Sequence, residues 1–196
     1  MTDIADSGLS GGDFAAGADR FVEDLNDGVP IAVALEAANN VSASNVAHYP
    51  SVVECGTRML SDTGEIDMKR LAAEAGVSRA TLYRYYPDKS KVEAEVARIG
   101  IEGMADAARH EQGVAAKFRV AADYLVGHPG EAAAIFPFAA MVSVGVLGAV
   151  VEQITGDESC APLLIGIAVM AATPRRHARD EDLLRRYIED CATSLG

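Results

Sequence analysis

"DMKRLAAEAGVSRATLYRYYPDK" fills residues 67–89 and decides how the chain folds. Asp67 is suited to cap a helix, with Ile66 before it and Leu71 at the fourth helical position forming a hydrophobic staple. Gly76 predicts a stop in the left-handed conformation that closes many helices. Ser78 then caps a second helix, and Val77 with Leu82 repeats the staple. Pro87 ends that helix and Asp88 caps a third. Two short helices around a glycine turn, with small Ala72 and Ala75 at the crossing, describe a helix-turn-helix.

The outward face of the second helix carries the chemistry. Leu82 and Tyr86 are four apart and face the core together. At about 100° per residue, Ala80, Thr81 and Arg84 point roughly the other way, flanked by Tyr83 and Tyr85. Arg79 stands at the helix start, and Lys89 opens the helix that follows. Arginine forks onto guanine or phosphate, Thr and Tyr hydroxyls bond phosphate oxygens, and alanine leaves room for a groove wall. A solvated face with aromatics in the core would explain Leu82, Tyr86 and one more tyrosine. It would not explain two further phenols and two arginines exposed together.

Charge singles out the same region. The 196-residue chain has a formal net charge of −12 with 49% hydrophobic and 23% charged residues, a globular balance. That acidity argues against loose whole-surface binding to nucleic acid or anionic membrane. Residues 1–50 hold eight acids and one base; residues 99–196 hold thirteen acids and eight bases. Residues 51–98 hold eight of each, so a local basic patch is open to them.

Helical spacing recurs along the rest of the chain, and no β alternation appears. Phe14, Ala18, Phe21, Val22 and Leu25 share one face, and Pro30 opens a second helix through about Asn39. A helix from Pro50 to about Asp62 buries Val52, Val53, Met59 and Leu60, and Gly56 is expected to weaken it. From Asp88 a long helix runs to about His110, with Val92, Val96, Ile99 and Gly103 on one face. Val114 to Leu125, the stretch after Pro129 and the stretch after Pro162 each continue the pattern. "TPRRHARD" reads as a loop, and Leu183, Leu184, Tyr187, Ile188 and Cys191 mark a last amphipathic helix. The fold class is all-α.

Residues 76–89, within a similar stretch covering about 52–98, resemble the TetR family of bacterial transcriptional regulators. The resemblance implies an N-terminal helix-turn-helix DNA-binding unit followed by a helical ligand-binding and dimerisation domain. Residues 1–48 would be an acidic, partly helical extension, 49–98 the DNA-binding domain, and 99–196 the regulatory and dimerisation domain. By position, Arg79, Ala80, Thr81, Tyr83, Arg84, Tyr85 and Lys89 match residues that touch DNA in this family. The implied partners are a double-stranded DNA operator, a second copy of the chain and a small apolar ligand. "VSASNVAHYP", before the first helix of the unit, lacks the family's usual basic residues, which lowers the expected affinity.

Other function classes find less support. Cys55, Cys160 and Cys191 are odd in number and far apart, which suits a reduced cytoplasmic protein. "MTDIADSGLSGG" has neither the basic nor the apolar region of a secretory signal. Residues 132–151 carry no charge over about a bilayer's thickness, but Pro137 and the absence of flanking Lys or Arg favour two buried helices around a kink. His48, His110, His128 and His177 stand apart from metal-ligand or triad spacing, so no enzyme, metal or cofactor is expected. Arg175, Arg176 and Arg179 cluster in a loop. Phe118, Tyr124, Phe136, Phe138, Met141 and Met170 suit an apolar ligand pocket, and core packing explains them equally well. A membrane-associated sensor and a helical interaction protein without DNA binding remain as rivals.

Overall fold

A computed structural model describes residues 50–141, 144–172 and 178–196. The extension expected over residues 1–48, with its helical spacing, lies outside them. Nine helices follow in order among the described residues: α1 Pro50–Thr63, α2 Met68–Glu74, α3 Arg79–Tyr85, α4 Lys89–Ala108 and α5 Val114–Gly127, then α6 Pro129–Met141, α7 Val144–Thr155, α8 Ala161–Ala171 and α9 Ala178–Ser194. A 3-10 turn, Glu158–Cys160, leads into α8, and no strand occurs among the described residues.

α4 is the spine. It packs against α1, α5, α6 and α7. Its buried face is Val92, Val96, Ala97, Gly100, Ile101, Met104 and Ala108. Val92 and Val96 lie on it as expected, while Ile99 and Gly103 sit at its half-buried margin. Gly56 acquires a role here, since a Cβ at that position would meet Val92 Cγ1 of α4 at 2.9 Å. The residue that weakens α1 as an isolated helix lets it close onto the spine.

α1 packs on α2, α4 and α6, joining the helix-turn-helix to the rest of the molecule. The core continues through Phe118, Leu125 and Ile167, all at 0% exposure. Full burial of a side chain of that size stabilises by about 1.5–3 kcal/mol. α5 lies against α4, α8 and α9, and α6 against α4 and α8.

The charge-free run forms α6 and α7. Pro137 falls inside α6, which ends at Met141, and α7 begins at Val144. No single described helix is long and apolar enough to cross a membrane. The pair Val144–Thr155 and Glu158–Ala171 passes that test only jointly, and it is bent by 108°. Val146, Val150, Val151 and Ile154 of this pair point into the protein core. α9 begins at Ala178, so the end of "TPRRHARD" is helix.

Candidate nucleic-acid interface

The two short helices are built by their caps. The Asp67 carboxylate accepts from Lys69 N at 2.8 Å and from Arg70 N at 3.1 Å. These backbone bonds, Arg70's foremost, hold its pKa below the ordinary value of 3.8. Gly76 has φ 69°, and the Val77 and Gly76 N–H groups donate to Ala72 O at 3.0 Å and Ala73 O at 3.3 Å. That pair of bonds is a Schellman stop, and only glycine adopts this φ at no cost. Ser78 Oγ accepts from Thr81 N at 3.0 Å and opens α3. Tyr86 leaves the helical region ahead of Pro87, which disfavours it there, and Asp88 caps α4 through Ser90 N at 2.9 Å and Lys91 N at 3.3 Å.

Leu82 and Tyr86 are buried, which turns the other face of α3 outward. Burial, with Glu95 nearby, pushes the Tyr86 phenol up to about 12, and its hydroxyl has no partner among the described residues. Arg79, Ala80, Tyr83, Arg84 and Lys89 are exposed; Thr81 and Tyr85 are half-buried. The Arg84 guanidinium lies 4.7 Å from the Tyr85 ring centroid and donates to its hydroxyl at 3.1 Å. The phenol thus sets where the guanidinium starts from, a cation–π arrangement that limits its freedom. Thr81 Oγ1 sits 2.8 Å from Ser78 Oγ, so part of its bonding capacity goes to the cap. Tyr85 packs against the core as well, so it is less available than its flanking position suggested.

The surrounding cations sort into committed and free. Arg58 of α1 and Arg70 of α2 share Glu74, at 3.4 and 2.5 Å, which ties α1 to α2. Lys89 lies 3.9 Å from Glu93, a loose pair that a phosphate oxygen can replace. Burial raises the Glu93 carboxyl and Lys89 lowers it. Lys69 and Lys91 form no ion pair among the described residues, and residue-by-residue reading of α3 missed both. Their signal was present in the sequence, since each sits in the first turn after a capping aspartate.

Residues 63–96 match the family model of bacterial regulatory proteins, tetR family. This segment is a TetR-family helix-turn-helix region. No curated protein and no solved structure shows a significant match to the chain. The TetR match spans the end of α1, all of α2 and α3 and the first turns of α4, so it covers every residue of the outward cationic face. The all-α fold agrees with a TetR-type regulator, in which a helical body carries the DNA-binding unit.

The six residues considered for an apolar pocket do not share one environment. Phe118 and Phe138 are core residues, whereas Phe136 and Met170 are 50% and 39% exposed. The Tyr124 hydroxyl donates to Glu131 Oε2 at 2.6 Å. Met141's side chain lies outside the described residues. His128 caps the end of α5, its ring stacked on Tyr124 at 4.0 Å and its Nδ1 2.8 Å from Tyr124 O.

Proposed function

We propose that this TetR-type DNA-binding regulator is a repressor that acts as a homodimer and is released by a small ligand. The observation that carries the DNA reading is the outward face of α3. Arg79, Ala80, Tyr83 and Arg84 are exposed together within the segment that matches the family model. In this reading Arg84 reads a base edge, Lys89 holds a phosphate, and Lys69 and Lys91 add phosphate contacts beyond those of α3. Such a protein works in the cytoplasm, where the chromosome is.

The dimer is supported by a second set of residues. Val169 and Met170 on α8 and Leu183 and Tyr187 on α9 are 39–55% exposed, and the two helices touch each other. Large apolar side chains exposed on adjoining helices favour a partner surface, and a second copy supplies one by two-fold symmetry. An apolar ligand suits the chemistry of a body whose helices α5 to α8 are rich in Phe, Val and Ala.

Genomic footprinting of the tagged protein tests the whole proposal. Enriched sites should share a near-palindrome, and transcription beside them should rise when the gene is deleted. Absence of any enriched site would leave a helical interaction protein instead.

A further inference from the structure

A groove of about 410 Å³ opens where α1, α4 and α6 meet. Val53 of α1, Ile99 of α4 and Pro129 of α6 supply apolar walls, and Thr57 and Ser61 of α1 supply hydroxyls. Glu131, in the first turn of α6, also lines it and is only 9% exposed. Its Oε2 takes the Tyr124 hydroxyl at 2.6 Å, while Oε1 has no hydrogen-bond partner among the described residues. No Lys, Arg or His pairs with this carboxylate among the described residues. Arg58, the base that shares the groove, is committed to Glu74 and to Cys55 Sγ at 3.2 Å. Glu54 adds a second negative charge to the lining.

The Tyr86 hydroxyl is the one fully buried side-chain polar atom without a partner among the described residues, so Glu131 Oε1 still touches solvent. The start of α6 and the Tyr124 hydroxyl stabilise a carboxylate with no cation beside it. From the apolar walls and the unpaired oxygen, we infer that the groove binds an amphipathic primary amine. Its ammonium meets Glu131 and its apolar body lies along Val53, Ile99 and Pro129. The size suits it, since pockets for small ligands begin at about 300 Å³. The position gives the site a consequence. Beside the groove Gly130 presses so close to α1 that a Cβ there would stand 2.1 Å from Thr57 O. A ligand that widens the groove moves α6 relative to α1, and α1 carries the helix-turn-helix. The regulatory meaning rests on the DNA-binding reading above; the binding chemistry does not.

The test is calorimetric titration of the full chain at pH 7, without DNA, using phenylbutylamine, phenylbutanol and phenylbutyrate. The amine should bind once per chain, at least about tenfold more tightly than the alcohol, as a charge-assisted bond predicts. Glu131→Gln keeps an acceptor for Tyr124 and removes the charge, so amine affinity should fall to the alcohol's while alcohol affinity stays the same. Ser61→Tyr, which fills the groove from α1 and leaves Glu131 intact, should abolish binding of both and stands in if the first variant does not fold. Equal binding of all three probes, tighter binding of the butyrate, or amine binding that survives either substitution overturns the proposal. Anisotropy on an operator duplex then separates the two readings. Loss of DNA affinity on adding amine supports the coupling, and amine binding by a protein that never binds DNA refutes the regulator reading alone.

Discussion

Arg84 and Lys89 differ in what each can reach, although both are exposed cations. Arg84 projects from the outward face of α3 with its guanidinium braced on Tyr85, and the proposed function assigns it a guanine edge. Arg84→Ala should cost about 1–3 kcal/mol on the cognate operator and relax preference at one base position per half-site. Lys89 stands in the first turn of α4, where phosphate is the expected neighbour. Lys89→Ala should weaken binding to all sequences alike and reduce the salt slope by about one for each phosphate that the lysine neutralises. Salt titrations of both variants on cognate and scrambled duplexes measure the difference. Identical, sequence-independent weakening by both would make Arg84 a phosphate clamp.

Helices as short as α2 and α3 do not persist alone, so their caps matter at the scale of the element. Ser78→Ala removes the acceptor for Thr81 N and should lower stability by about 1 kcal/mol, read from the urea midpoint. Asp67 gives a pH signature. Its folded pKa is depressed below 3.8, so its contribution is complete above that value and is lost as pH falls through the folded pKa. The midpoint gap between wild type and Asp67→Ala should therefore stay constant from pH 7 to about 5 and narrow in strong acid. A gap that widens in acid would contradict this account. At the junction of α1 and α6, Gly130→Ala forces a methyl against the Thr57 carbonyl and should destabilise the protein by about 1–3 kcal/mol. Thermal melts of that variant against Gly127→Ala, where nothing lies within 4 Å of the added Cβ, isolate the steric clash from glycine's backbone effect.

For the whole molecule, the exposed apolar side chains on α8 and α9 predict the assembly. Leu183 is 55% exposed, so Leu183→Glu should leave the monomer fold intact while placing a charge in the dimer face. Light scattering at micromolar concentration should then show a dimer for wild type and a 20.5 kDa monomer for the variant. Wild type that is monomeric throughout would remove the dimer. Much of the DNA-binding unit was legible in the sequence alone: the caps at Asp67, Ser78 and Asp88, the stop at Gly76 and the inward Leu82 and Tyr86. Each depends on residues within a turn or two of one another, so local hydrogen bonding and helical period determine it. The tertiary structure decided what distant partners decide. Glu74 withdraws Arg58 and Arg70 from the free cations, and on α4 the buried stripe keeps Val92 and Val96 but runs on through Gly100, Met104 and Ala108, leaving Ile99 and Gly103 at its margin. Gly56, a liability within α1, is an asset only because Val92 lies across from it. The groove at Glu131 joins residues 53–61, 99 and 129–131, which no spacing rule links, because only packing brings three separate helices to one place.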